Sequence, residues 1–172
     1  TKLINSIRNF LNQNEFLEVE TPVLAHKASG ATAKPFSTHH NALDIDVYLR
    51  IAPELYLKRC VAGGFERVYE FARCFRNEGM DPSHLQEFLM LEYYVAYWNY
   101  EDNMDFSEKL FSHILKELFG SYEVELLSRD GKVKKIDFTP PWPRKEFAQI
   151  INKDCGINIL DFENAKDLRE EI

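Results

Sequence analysis

Two apolar runs joined by a short, turn-rich segment constrain this chain more than any other feature. Glu66 to Arg76 and Leu85 to Trp98 both have the aromatic and β-branched make-up of strands. Between them, Asn77 to Ser83 carries Gly79 and Pro82, so the two runs read as an antiparallel pair with an unusually long, polar connection. Side chains alternate between the faces of a strand, and parity therefore sorts the second run. One face holds Leu85, Leu89, Leu91, Tyr93, Val95 and Tyr97 and is expected to pack on helices. The other holds Phe88, Met90, Glu92 and Tyr94, with His84 at its entrance.

Glu92 stands out on that second face. A carboxylate in so apolar a stretch needs a cation or hydrogen-bond donors, because desolvating it alone costs several kcal/mol. Arg73 or Arg76 on the partner strand could supply an internal ion pair, and a ligand ammonium could do the same. Arg73 and Arg76 are three residues apart, hence on opposite faces. Arg76 at the mouth of the hairpin could hold a phosphate through two parallel N–H bonds, or simply pair with Glu78 at the surface. Phe88 could stack on a purine or serve as packing.

The flanking segments give the frame. Leu3, Ile7, Phe10 and Leu11 share a helical face that Asn14 can end, and Phe16 to Glu20 reads as a strand stopped by Pro22. Ala28 to Ala33 is a small-residue loop centred on Gly30. Leu43, Ile45, Val47, Leu49 and Ile51 alternate with Asp44, Asp46, Tyr48 and Arg50, the pattern of an antiparallel strand with one wet face. Pro53 opens a helix through Val61 that Gly63-Gly64 stops, and Glu54 in its first turn suits the helix dipole. His39-His40 has no metal-like spacing and reads as ordinary strand or loop. Phe111, Ile114, Leu115 and Leu118 mark a helix ended by Gly120. A hairpin is expected around Arg129-Asp130-Gly131, then a rigid link at Thr139 to Pro143, a helix with Phe147, Ile150 and Ile151, and helical composition from Phe162 to Ile172. The sum is an α+β fold, an antiparallel sheet flanked by helices.

Composition narrows the function classes. With 172 residues, 45% of them hydrophobic, the chain can bury a core, and no apolar run approaches the ~20 residues of a membrane span. A net charge of −7 argues against this stretch alone being a strong nucleic-acid binder. Cys60, Cys74 and Cys155 lack metal-like spacing, and with no signal-like N-terminus the expectation is a reduced, cytoplasmic chain. Helices that start and stop at the ends of the sequence suggest a piece of a longer one.

The same residues carry a family resemblance. Phe65-Glu66-Arg67-Val68-Tyr69-Glu70-Phe71-Ala72-Arg73-Cys74-Phe75-Arg76-Asn77-Glu78-Gly79 resembles the first half of motif 2 of the class II aminoacyl-tRNA synthetases, and Phe16 to Pro22 resembles the end of their motif 1. Gly30 to Phe36, Thr38 to Asp44 and Arg50 to Arg59 resemble the lysyl-tRNA synthetases within that class. The resemblance implies a partial catalytic domain, with motif 1 over about residues 1–24 and motif 2 over about 65–98. It implies that Arg76 contacts the α-phosphate of ATP, that Glu78 lies on the adenine side, that His84 meets the triphosphate and that adenine stacks on Phe88. It also implies that Gly30, Glu54, Glu92 and Tyr94 hold L-lysine, with tRNA(Lys) as second substrate. A homodimer through motif 1 is implied as well, with Leu3, Ile7, Phe10 and Leu11 partly at the subunit contact.

The chain departs from the family at Leu85-Gln86-Glu87-Phe88-Leu89, where Asn-Pro-Glu-Phe-Thr is usual after the histidine. Nothing after Ile157 resembles motif 3, which in the family supplies a further arginine and the acidic residues that hold Mg²⁺, and the anticodon-binding OB domain that the resemblance places before motif 1 is expected to lie outside this stretch. The expectation is therefore an enzyme fragment with little activity alone and no metal ligands of its own. Three other readings are a paralogue that lysylates a translation factor, a lysine-binding regulatory module, and an interaction scaffold in which Glu92 pairs internally.

Overall fold

The computed structural model describes residues 1–128 and 130–171, and divides into two units, Thr1–Ser121 and Tyr122–Ile172. Arg129 of the expected turn and Ile172 lie outside the described residues.

In the first unit, helix α1 (Lys2–Gln13) leads through Asn14 and a left-handed Glu15 into the short strand β1 (Leu17–Glu18). The expected strand to Glu20 is cut short because the chain leaves this sheet for another, where β2 (Leu24–Ala25) and β3 (Ser37–His40) flank β4 (Ile45–Leu49). Helix α2 (Glu54–Ala62) follows Pro53 and ends at Gly63. Strands β5 (Arg67–Phe75) and β6 (Glu87–Val95) pair antiparallel along their full lengths, as the two apolar runs predict. Strand β1 joins the outer edge of β5 in parallel, a pairing that local sequence does not announce. Helix α3 (Tyr100–Phe119) closes the unit; the Asn99 side chain accepts from the Glu101 and Asp102 amides, and Gly120 ends the helix in the left-handed region.

The β5–β6 register puts the odd-numbered residues of both strands on one face and the even-numbered on the other. The odd face builds the core. Phe10 and Leu11 of α1, Phe16, Tyr69 of β5, and Phe106, Leu110 and Ile114 of α3 form one buried cluster, against which Phe71, Leu91, Tyr93 and Val95 pack. Phe106 is its hub, with the rings of Phe10, Phe16, Tyr93 and Trp98 all between 5.1 and 5.4 Å away. The hydroxyl of the fully buried Tyr69 donates to Asn12 and Glu18, and burial beside Glu18 pushes its pKa up to about 12.

Parity overextends this face at both ends. Leu85 and Tyr97 are exposed, because the ladder runs only from Glu87 to Val95 and Tyr97 turns out at a positive φ of 67°, and Leu89, paired with Arg73 inside the ladder, is exposed as well. Phe111 is likewise exposed, since α3 buries the line Phe106, Leu110, Ile114, Leu115 instead. Phe10 and Leu11 are enclosed by this chain's own core, so they are unavailable for a subunit contact, whereas Leu3 is 50% exposed.

The even face is the other side of the sheet. Val68, Glu70, Ala72 and Cys74 are all buried there, and α2, whose Leu57 is fully buried, packs against both strands.

The second unit is a hairpin of β7 (Glu123–Leu127) and β8 (Val133–Asp137), followed by α4 (Phe147–Cys155), a single 3₁₀ turn at Ile159–Asp161 and α5 (Ala165–Glu171). Its described residues include none that is fully buried. All three cysteines are free thiols.

Candidate substrate site on the even face of the sheet

The even face gathers three carboxylates from separate elements. Glu70 and Glu92 are directly opposite one another in the β5–β6 register, and Glu54 comes from the first turn of α2. Like charges so placed need compensation, and each carboxylate finds a different one.

Glu70 has an internal cation. Its side chain is 3% exposed and accepts from Arg50 Nη1 at 2.6 Å and from Thr21 Oγ1 at 2.6 Å. Arg50, itself 5% exposed, also donates to Thr21 O and to Arg73 O. Alternation along β4 predicts a wet Arg50, and the structure corrects this: β4 ends at Leu49, so Arg50 is free to turn inward and tie the segment between β1 and β2 to β5. The internal ion pair considered for Glu92 thus exists, but between two residues that sequence reasoning passed over. The signal was available, since Glu70 interrupts Val68-Tyr69-Glu70-Phe71-Ala72 as sharply as Glu92 interrupts its own run.

Glu54 has a local cation. Lys58 Nζ lies 2.5 Å from Glu54 Oε1, one turn along α2, and 5.9 Å from the centroid of the Tyr94 ring. Gly30 makes this arrangement possible. At its φ of +87° a side chain is strained, and a Cβ there would lie 2.8 Å from Glu54 Cβ and 3.1 Å from Ala52 Cβ.

Glu92 has neither. Among the described residues no Lys, Arg or His comes within ion-pair distance of it, and its recorded partner is the Tyr94 hydroxyl at 3.2 Å. Burial raises its pKa above the ordinary carboxylate value; Tyr94 opposes this, the charge of Glu54 adds to it and Arg76 subtracts from it. Tyr94 is pushed up in turn by burial and by the charges of Glu92 and Glu54. Gly30, Glu54, Glu92 and Tyr94 are therefore brought together by three elements: a loop, a helix and two positions of one strand.

At the other end of the face, the Arg76 guanidinium lies 5.1 Å from the centroid of the Phe88 ring and its Nε reaches Ile51 O at 3.4 Å. Arg73 points to the opposite face and pairs with Glu87 at 3.5 Å. Glu78 does not pair with Arg76; its Oε1 accepts from the Lys34 amide at 3.3 Å, while Asn77 N–H donates to Lys34 O. These two bonds pin the Gly30 loop to the β5–β6 connection. His84 pairs with Asp81 at 2.7 Å within that connection. The Ser83 amide and hydroxyl, with His84, hold the Asp81 carboxyl down to about 2. His39 lies in β3 and bridges the exposed Asp44 and Asp46.

A cavity of about 360 Å³ lies beside the same loop, lined by His26, Lys27, Ser29, Tyr56 and Arg59 among others, and by none of the eight candidate residues.

The comparison with known proteins decides the family. A model of the class II tRNA synthetases (D, K and N) matches residues 1–170. This chain is a class II tRNA synthetase family member. Similar curated proteins are the lysine--tRNA ligases of Dehalococcoides mccartyi, 48% identical over all 172 residues, and of Clostridium botulinum (strain Loch Maree), 49% identical over 167 residues or 97% of the chain. That of Clostridium acetobutylicum is 46% identical over 170 residues, or 99% of the chain. The synthetase-family chain spans about a third of the length of these relatives, 34%, 32% and 32% respectively. Its mixed sheets flanked by helices agree with the fold class that the sequence predicts.

Proposed function

We propose that this chain is part of a lysine--tRNA ligase that activates L-lysine with ATP and passes the lysyl group to tRNA(Lys). One observation carries the lysine assignment: the even face presents a half-buried carboxylate, Glu92, with no internal cation, beside a second carboxylate, Glu54, held only by an exposed lysine. A substrate with two ammonium groups satisfies both, and a neutral side chain would leave a buried charge unpaired.

The roles follow from position. Glu92 takes one ammonium, oriented by the Tyr94 hydroxyl, and Glu54 takes the other with Gly30 giving close access. Arg76 lies beyond them on the same strand pair, where a guanidinium can hold the α-phosphate and stabilise charge as the lysine carboxylate attacks phosphorus. Phe88, already a partner for one cationic plane, offers a ring on which adenine stacks. Glu78 and His84 belong to the connection that borders this end, and both would turn from their present partners to meet ATP. No protein nucleophile is needed, so catalysis is positioning and electrostatics.

Mg²⁺ is the expected cofactor of the family. Among the described residues no group of His, Cys, Asp or Glu could hold a metal ion, and the three carboxylates of the even face are arranged for cations of substrate and protein. No step of this chain's residues runs through the metal. Its ligands, tRNA recognition and the ATP γ-phosphate contact are assigned to the remainder of a longer protein. Homodimerisation through residues 1–24, with the exposed Leu3 and Leu17 at the contact, and a cytoplasmic location belong to the same proposal. No described helix is long and apolar enough to cross a membrane.

The test is lysine-dependent ATP–pyrophosphate exchange by the ligase carrying this chain. Arg76→Ala should reduce exchange by at least about 10²-fold without unfolding, because the side chain is half-buried at the end of a strand rather than in the core. Exchange that persists, or that prefers another amino acid, refutes the proposal.

A further inference from the structure

The three carboxylates of the even face differ in how their charge is met, and the difference falls on the ligand. Glu70 is closed off: its partner Arg50 is buried and held by three further acceptors. Glu92 is open. Glu54 is in between, because its partner Lys58 is 55% exposed and, among the described residues, has only the Tyr94 ring face as a further recorded contact. The Lys58 ammonium is 2.5 Å from Glu54 Oε1 and 5.9 Å from the Tyr94 ring centroid, and the hydroxyl of that ring is 3.2 Å from Glu92. A protein ammonium thus stands over an aromatic face and against a carboxylate, at the spot where the proposed substrate must place one of its own.

We propose that Lys58 is an internal surrogate for a substrate ammonium, holding Glu54 until lysine binds and giving it up when it does. The inference rests on the lysine reading and adds to it a residue that positions Glu54. A ligand with a single ammonium can satisfy Glu92 and leave the Lys58–Glu54 pair intact. Only a ligand with two must displace Lys58. The surrogate keeps Glu54 correctly placed against Gly30 before substrate arrives, and its competition lowers lysine affinity by the strength of a partly exposed ion pair. Its stem is long enough to swing outward, since the opposite side of its turn is solvent.

The experiment measures L-lysine affinity calorimetrically for the ligase carrying this chain, unaltered and as Lys58→Met, Lys58→Arg and Glu92→Gln. Lys58→Met retains the stem and removes the competitor, so lysine should bind about two- to fivefold more tightly. Lys58→Arg retains the charge and should show no such gain. In the unaltered ligase, the ¹³Cε resonance of Lys58 should shift on saturation with lysine as the ion pair opens. Thermal unfolding of each variant checks the fold. Unchanged or weaker lysine binding by Lys58→Met, with Glu92→Gln still impaired, overturns this inference and leaves the lysine reading standing. Absence of saturable lysine binding to the unaltered ligase overturns both.

Discussion

Glu92→Gln should change affinity and stability in opposite directions, and the pairing of the two signs is what tests the site. Glu92 is half-buried, faces Glu70 across the strand pair and has a tyrosine hydroxyl for company. Burial raises its pKa, so the folded state holds the proton more tightly than the unfolded chain does. The stability tied to that proton is present below the unfolded value and is lost as pH rises through the folded one. At neutral pH Glu92 therefore weighs against folding, and glutamine removes that weight while keeping an oxygen for Tyr94. Solvent reaches the group, so the gain should be modest, about 1 kcal/mol or less. It should vanish below about pH 4, where the wild-type carboxyl is protonated in both states. Bound lysine reverses the sign. The variant loses a charge-assisted hydrogen bond worth ~1.5–3 kcal/mol, or about 10- to 100-fold in affinity. Urea unfolding between pH 4 and pH 8 and lysine calorimetry are the assays. A variant less stable at neutral pH, with unchanged lysine affinity, would show that Glu92 is a structural residue.

Three further perturbations address separate contacts. Arg50→Met leaves Glu70 buried without its cation and strips a donor from Thr21 and Arg73, which should destabilise the chain by about 3–5 kcal/mol; changing Glu70 to Leu as well should recover part of it, and strictly additive losses would contradict the pairing. Gly30→Ala adds a Cβ 2.8 Å from Glu54 Cβ at a positive φ, so it should cost about 1–3 kcal/mol and weaken lysine binding as Glu54 moves; a neutral outcome in both assays would refute the close approach. The Asp81 carboxyl should titrate near 2 by NMR, and its contacts with Ser83 and His84 should persist above that pH and be lost as pH falls through it; a midpoint at the ordinary ~3.9 would mean the turn is not formed.

What the sequence revealed depended on the range of the interaction. The β5–β6 pair was legible because period-two alternation and a polar connection are local signals, and the structure keeps both strands to within two or three residues of the expected ends. Glu92 was legible for the same reason, as a charge in an apolar run. The partners of these residues were not. Gly30 meets Glu54, Lys34 meets Glu78 and Arg50 meets Glu70 through loop closures that no window of ten residues contains. Arg50 was misplaced because alternation was carried one residue past the end of β4. The parallel pairing of β1 with β5 is long-range in the same sense. Lys58 was hidden differently: four residues after Glu54 on a helix, it looks like an ordinary surface pair until Tyr94 is seen beside it.

The chain has two tryptophans, and they fall one in each unit. Trp98 is packed on Phe106 and Phe16 in the core of the first, while Trp142 in the second donates to Phe138 O and rests on that ring, in a unit with no fully buried described residue. Intrinsic fluorescence is thus the sum of two reporters whose surroundings differ in stability. A melt followed by total emission will begin earlier than one followed by helix ellipticity, to which the three helices of the first unit contribute most, even where each unit yields in a single step of its own. Replacing Trp142 with Phe converts the signal to a clean readout of the sheet that carries Glu92 and Arg76.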